Sequence, residues 1–560
     1  MKPDEWIAHD PDPDAVAELS ACTPDELAAR FSGSLRFGTS GLRGPMRAGP
    51  TGMNIAVVLR ATWGLARVLK AHRSRAAGDI EHRSRAAGDV EHLSRAAGDI
   101  DKRPGASAVF IGYDARHGSR RFATAAAEVL AAEGFSVRLL PGPLPTPVLA
   151  FAVRQTGAAA GVQITASHNP PSDNGYKVYL DGGVQIGSPT DREIETAIAS
   201  APYADQIDRA PVAPDESSDI VEHYLRRAAA VRRGSGPVRV ALTPMHGVGG
   251  APVVEALRRA GINDVHTVAA QFAPDPDFPT VVFPNPEEPG AADAVLDLAA
   301  RVDADVAVAL DPDADRCAIG IPDDGGWRML SGDETGWLLG DYILSHPTVE
   351  APPVTSTVAS SVVSSRMLAS IAAAHGARHV ETLTGFKWLA RAAGDDLVYA
   401  YEEAIGHCVD PAAVRDKDGI SAAVLCCDLA ATTKAAGRDL RGLLDDLARG
   451  HGVHLPSSIT ERSDDAAAVM TRLGDDPPTR LAGFDVTAAS LADVLILAGD
   501  NGGTWVRLAV RPSGTEPKIK GYIEIGQPAT DDLAAARASA QRLCEAVRRD
   551  AAALLQRGPN

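Results

Sequence analysis

The chain has 560 residues, which at about 150 residues per domain predicts three to four domains rather than one core. Its 55 Lys and Arg against 73 Asp and Glu leave a formal net charge of −18, which excludes broad nucleic-acid or anionic-membrane binding, because both need a basic face that displaces counterions. With 45% apolar and 23% charged residues and no run near the roughly 18 apolar residues of a membrane span, the chain reads as ordinary globular protein.

The opening MKPDEWIAHDPDPD is acidic and lacks the apolar region of a secretory signal. Cys22, Cys317, Cys408, Cys426, Cys427 and Cys544 form no CxxC pair and no Cys/His ligand spacing. They are expected to be reduced, in a cytoplasmic setting.

Residues 72–101 read HRSRAAGDIEHRSRAAGDVEHLSRAAGDID, three near-identical decapeptides in tandem. Ten residues is too short a period for a solenoid. Ala-Ala with opposite charges three or four residues apart favours helix, and the glycine in each unit weakens it. The stretch is expected to be a surface insertion produced by duplication, with a partner-binding element as the alternative.

Beyond it, short apolar runs alternate with Ala-rich amphipathic stretches, as in 107–134, 238–261 and 305–321, which predicts βα units and largely parallel sheets. From about 455 the pattern changes. VRLAVRPSGTEPKIKGYIEI (506–525) predicts two strands around a turn, followed by a helix over 531–555. Pro/Gly-rich or acidic joints near 203–216, 322–333 and 451–466 divide the chain into expected domains 1–215, 216–325, 326–455 and 456–560.

Four polar stretches are spaced by about a domain each, at places where α/β sheets bind ligands. In GVQITASHNPPSDNGYK (161–177) a buried strand ends at Ser167, and Pro170 and Pro171 stop a helix from following. A hydroxyl held on such a turn suits a nucleophilic or phosphoryl-carrying serine, and an ordinary Ser turn is the alternative. No GxSxG elbow surrounds it, so a Ser-His-Asp hydrolase is a poor fit.

DPDADR (311–316) follows the apolar VAVAL. In extended chain Asp311, Asp313 and Asp315 would point one way, and clustered carboxylates with only oxygen to offer suit Mg²⁺. An EF-hand would need Gly and Glu where Arg316 and Pro322 stand, and a solvated acidic turn is the other reading. TLTGFKW (382–388) and YEEAIGH (401–407) offer Lys387, Glu402, Glu403 and His407. A glutamate there can accept from vicinal sugar hydroxyls, and a structural role is an equal alternative. In RPSGTEPKIK (511–520), Arg511, Ser513 and Thr515 around Gly514 supply guanidinium, hydroxyl and amide donors. That is the inventory of a phosphate cradle, or of a plain turn.

Together these motifs resemble the α-D-phosphohexomutase superfamily. FGTSGLRG (37–44), GYDAR (112–116), TASHNP (165–170), NGYK (174–177), TPMHGVG (243–249), DPDADR, TGFK (384–387), EEAIGH (402–407) and RPSGTEP (511–517) occur in that family's order over nearly the whole chain. The resemblance implies an α/β fold of three related α/β domains with mixed sheets plus a smaller C-terminal α+β domain around a central cleft. It implies a phosphosugar mutase of the phosphomannomutase/phosphoglucomutase type, with a phosphopentomutase, an amino-sugar phosphomutase or a catalytically silent relative as alternatives.

By motif, Ser167 is the implied phosphoserine, and Asp311, Asp313 and Asp315 with a Ser167 phosphate oxygen are the implied ligands of one Mg²⁺. Arg43, Lys177, His168 and His407 fall in the implied catalytic set, Lys177 and His407 as proton-transfer candidates. Arg316, Thr384, Gly385, Lys387 and Glu403 are implied substrate contacts, and Arg511, Ser513, Gly514 and Thr515 an implied clamp on the non-reacting phosphate. A sugar 1,6-bisphosphate would be intermediate and primer, and the protein a monomer or homodimer without nucleic-acid or membrane partners. Ile405 and Pro312 stand where many relatives carry Ser and Gly, and the EEAIG form points to a branch with glucose-, mannose- and pentose-phosphate members.

Overall fold

The computed structural model describes residues 2–38, 41–86, 107–180, 182–217, 219–347, 355–463, 465–512 and 518–556. Three mixed α/β sheets follow one another along the chain, and an antiparallel sheet closes it. In the first, Ala108–Tyr113 lies parallel between Ser136–Leu139 and Ala160–Ile164, and Asp173–Leu180 and Leu42–Pro45 extend the sheet antiparallel. In the second, Arg239–Thr243 lies parallel between Asp264–Thr267 and Val306–Leu310, and Cys317–Asp323 and Gly326–Met329 follow antiparallel. The third sets Thr357–Ser361 between Arg378–Thr382 and Leu397–Glu402, with Gly406–Cys408 at the edge. The fourth runs Val453–Arg462, Lys518–Gln527, Thr504–Pro512, Val494–Asn501 and Thr487–Leu491, all antiparallel.

The apolar runs read from the sequence become strands because both faces are covered. AGVQI of Ala160–Ile164 and VAVAL of Val306–Leu310 are buried at every position, as parallel-sheet centres require. Helix Gly419–Ala435 is apolar nearly all round and almost wholly buried, the signature of a central helix. Asp418 caps it, accepting from the backbone of Ile420 and Ser421, and Tyr224 donates to the same carboxylate at 2.7 Å. Its first amide, Gly419 N, donates to Ala314 O at 3.1 Å, which seats the helix on the aspartate loop.

Two expected boundaries move. Gly326–Met329 pairs with Cys317–Asp323, so the second sheet passes 325. Val453–Arg462 pairs continuously with Lys518–Gln527, so the fourth sheet begins before 456. In both cases long-range pairing overrides the local Pro/Gly signal.

The helix Ile55–Ala86 carries the first decapeptide and enters the second, and the repeat from 87 to 101 lies outside the described residues. All six cysteines are free. No single described helix is long and apolar enough to cross a membrane.

Candidate active site

Ser167 stands just past the end of Ala160–Ile164, in the left-handed region with φ 54. That conformation costs a non-glycine residue free energy, so its surroundings must impose it. Ser167 N donates to Thr165 Oγ1 at 2.9 Å. Beneath the loop the buried Arg116 guanidinium donates to the carbonyls of Ser167 (2.7 Å), Asn169 (2.5 Å), Pro170 (2.7 Å) and Asp173 (3.2 Å). Asp114, 3.4 Å from Arg116 Nε, balances its charge. The outcome is a hydroxyl aimed across the domain boundary: Ser167 Oγ donates to Asp311 Oδ2 at 2.9 Å.

Asp311, Asp313 and Asp315 converge as expected, with one oxygen from each within 4.8 Å of the others. Their convergence does not come from extended chain. Residues 311–316 form a turn in which Ala314 has φ 53 and donates N–H to Asp311 O at 2.9 Å. Pro312 fits because the facing residue is Gly247, where a Cβ would come within 2.4 Å of Pro312 Cα.

Burial pushes Asp311 well above the ordinary carboxylate range, and the charges of Asp313 and Asp315 add to it against Arg316 and Lys177. Burial raises Asp313 too, helped by Asp315, but Lys177 and the Thr146 hydroxyl outweigh both and hold it below its ordinary value. At Asp315 burial is overcome by Lys177, Lys417 and Arg316. The Lys177 ammonium, buried on Asp173–Leu180, donates to Asp313 Oδ2 at 2.7 Å and Asp315 Oδ2 at 2.9 Å. Asp313 Oδ1 and Asp315 Oδ1 are buried without a hydrogen-bond partner, Asp315 Oδ1 standing 3.7 Å from Arg316 Nε. An all-oxygen set with unused lone pairs fits a hard divalent cation.

Arg43, on Leu42–Pro45, donates to Asn169 Oδ1 at 3.4 Å. His168 is pushed well below its ordinary pKa by burial, then by Arg316 and Arg43, so its imidazole is neutral. Arg316 ties the aspartate loop to the EEAIGH loop: its backbone N donates to Asp311 Oδ1 at 3.0 Å and its Nη1 to Ala404 O at 3.1 Å.

A second cluster faces this one. Glu403 Oε2 accepts from Ser361 Oγ (3.0 Å) and Ser364 Oγ (3.3 Å). Arg511, on Thr504–Pro512, has no acceptor at Nε. Tyr522 hydrogen-bonds Arg511: burial raises its hydroxyl pKa above the ordinary value, the Glu403 charge adds, and Arg511 opposes. Ser513, Gly514 and Thr515 lie outside the described residues. Thr384 Oγ1 has no partner, Gly385 takes φ 110, and the Lys387 side chain lies along Gly187 of the first sheet's domain.

The chain matches the family Phosphoglucomutase/phosphomannomutase, alpha/beta/alpha domain I over residues 86–204, domain II over 221–325 and domain III over 331–449. It is 38% identical over 490 residues to the probable phosphomannomutase of Haemophilus influenzae, covering 84% of this chain and 93% of that one. With the phosphopentomutase of Mus musculus it shares 32% over 587 residues, covering 94% and 90%. This chain belongs to the α-D-phosphohexomutase superfamily. A crystal structure of a putative phosphomannomutase from Thermus thermophilus superposes on the mutase fold with TM-score 0.66 at 23% identity, covering 92% of this chain and 99% of that one. As a member, the chain is an enzyme, a phosphotransferase isomerase of the phosphomannomutase/phosphoglucomutase type.

In this mutase His407 sits against the tyrosines of the third sheet. Its ring is fully buried, stacks with Tyr399 and Tyr401, and shares a 3.0 Å hydrogen bond with the Tyr399 hydroxyl. Burial alone lowers its pKa, to about 3, with no charged neighbour contributing. Its Nε2 is buried without a hydrogen-bond partner, so the described residues show no proton partner for the expected transfer role.

Four site residues escaped the sequence reading. Arg116 lay in the quoted GYDAR stretch without a role. Thr146, first residue of the helix Thr146–Thr156, donates to Asp313 Oδ2. Lys417 sits 3.5 Å from Asp315 Oδ2 and over the Phe386 ring, but RDKDG reads locally as a solvated turn. Glu287, in PNPEEPG, reads the same way. Its carboxylate stands 3.8 Å from Arg316 Nη1 with 37% of the side chain exposed. Crowding by the surrounding protein raises its pKa; Arg316 opposes, Glu403 adds, Lys520 opposes and Glu402 adds.

Proposed function

We propose that this enzyme is a Mg²⁺-dependent phosphosugar mutase interconverting hexose 6-phosphate and hexose 1-phosphate, mannose or glucose, by way of phosphorylated Ser167 and a sugar 1,6-bisphosphate. The observation that carries the reading is Ser167 Oγ 2.9 Å from Asp311, among Lys177, His168, Arg43 and Arg316, with Glu403, Tyr522 and Arg511 forming the facing cluster. Phosphoryl transfer asks mainly for positioning and charge stabilisation.

A sugar hydroxyl oxygen forms its bond to phosphorus as the bond from phosphorus to Ser167 Oγ breaks, and the serine oxygen keeps the electron pair. The hydroxyl proton passes to a group beside Ser167, Lys177 or His168. Arg43 and Lys177 neutralise the transferring oxygens, and Arg116 keeps the serine loop in place. Asp311, Asp313 and Asp315 would hold Mg²⁺, which supplies charge stabilisation on the phosphoryl oxygens. Glu403 reads the sugar hydroxyls and Arg511, with Ser513, Gly514 and Thr515, holds the distal phosphate. After the bisphosphate turns over, its other phosphate returns to Ser167.

The phosphopentomutase relative and the EEAIG form of the sugar loop support a second reading, a pentose phosphate as substrate. A coupled assay with mannose, glucose, ribose and N-acetylglucosamine 1-phosphates plus a bisphosphate primer separates the two. Turnover on none of them would sink the mutase reading.

A further inference from the structure

Residues 361–366, between the strand Thr357–Ser361 and the helix Met367–Ala374, touch both halves of the recognition cluster. On one side Ser361 Oγ donates to Glu403 Oε2, and Ser364 Oγ accepts from Glu403 N at 3.0 Å while its single proton is shared between Ser361 Oγ at 2.8 Å and Glu403 Oε2 at 3.3 Å. Both ends of the glutamate are thereby fixed. On the other side, Ser365 Oγ and Arg366 N donate to Glu524 Oε1 at 2.5 and 2.9 Å. Glu524 lies on Lys518–Gln527 of the last sheet and also pairs with His454 Nδ1 at 2.9 Å.

Between these polar contacts the segment is apolar. Val362 and Val363 pack with Val494 and Ala509 of the last sheet, flanked by Ile496 and Tyr522. Arg507 Nη2 donates to Val362 O at 2.6 Å. Arg507 and Arg511 share the strand Thr504–Pro512, so the anchor and the phosphate-holding arginine move together. Six consecutive residues therefore fix Glu403 on one flank and the strands that carry Arg511 on the other.

We propose that the segment Ser361–Arg366 sets the spacing between Glu403 and Arg511, and so determines which length of sugar phosphate the enzyme accepts. Ser364 and Ser365 are its positioning residues. The inference rests on the mutase reading, in which Glu403 takes hydroxyls and Arg511 the distal phosphate. A pentose phosphate is one carbon shorter than a hexose phosphate, a step of about 1.5 Å. Misplacement of about 1 Å costs on the order of a hundredfold in rate, so a spacer held from both sides discriminates and a loosened one does not.

The test is kcat and KM for a hexose 1-phosphate and a pentose 1-phosphate in the wild type, Ser364→Ala, Ser364→Thr and Ser365→Ala. The expected result is that the kcat/KM ratio between preferred and poorer sugar falls about tenfold in both alanine variants, through KM of the preferred sugar, and that Ser364→Thr restores it. If Ser364→Ala fails to fold, Ser365→Ala decides alone, since it leaves Glu524 bonded to Arg366 N and His454. A ratio unchanged within about twofold, or an equal loss on both sugars, overturns the spacing while leaving the mutase reading standing. A wild type that turns over neither sugar and carries no phosphate on Ser167 overturns both.

Discussion

Around Ser167 the groups that do the chemistry come already wired together, whereas around Glu403 and Arg511 they are brought together by the docking of one sheet on another. Lys177, Arg116 and Arg316 each have acceptors within a continuous buried block, and the serine is forced into φ 54 before any ligand arrives. Across the cleft Arg511 Nε has no acceptor, and Tyr522 of the last sheet feels the charge of Glu403, just past a strand of the third. The contrast assigns rigidity to the transfer of phosphate, where misplacement is costly, and leaves recognition to a joint between domains, where sugars of different size and orientation can be admitted or refused.

Mutations at the two clusters should therefore fail differently. Ser167→Ala is expected to lower kcat by at least about 10⁴-fold, as loss of a nucleophile does, with unfolding by denaturant unchanged within about 1 kcal/mol. Retained turnover would mean another residue carries the phosphoryl group. Arg116→Ala acts on the frame beneath: with both side chains about 1% exposed, removing the guanidinium leaves Asp114 buried without its cation and should cost about 3–5 kcal/mol in urea unfolding. A loss below about 1 kcal/mol would show that the loop holds itself.

Glu403→Ala should remove hydrogen bonds worth roughly 1.5–3 kcal/mol, or about ten- to a hundredfold in kcat/KM, mostly in KM, while Ser167 still takes phosphate from a bisphosphate. A pure kcat effect would move Glu403 into the transfer chemistry. The smallest effect is expected at His407. Its folded pKa of about 3 lies below the ordinary value of 6.5, so between those pH values the unfolded chain binds more protons and stability falls as pH drops. His407→Gln should flatten that acid-side slope in urea midpoints and leave the rate at pH 7 within about twofold. A changed pH–rate profile would give His407 a part in proton transfer.

The strands and the aspartate cluster were legible because apolar runs such as VAVAL end abruptly in residues of one charge, a pattern with few physical explanations. The reason the aspartates converge was not legible. It is a turn with Ala314 at φ 53, and alanine gives no local sign of it. Arg116, Thr146 and Lys417 were invisible as site residues because their partners stand far away in sequence, Lys417 102 residues from Asp315 (417 − 315 = 102). The surroundings of His407 were hidden for the converse reason: its motif neighbours are Glu402 and Glu403, but alternation along Gly406–Cys408 turns its ring toward Tyr399 and Tyr401.

The central claim is that Ser167 carries the phosphoryl group. The most direct test is intact-protein mass spectrometry with site mapping after incubation of the Mg²⁺-loaded enzyme with a sugar 1,6-bisphosphate. The account predicts one phosphoryl group, on Ser167, that disappears on addition of excess sugar monophosphate and is absent from Ser167→Ala. Phosphate on another residue, or none in an enzyme that still turns over, would contradict it.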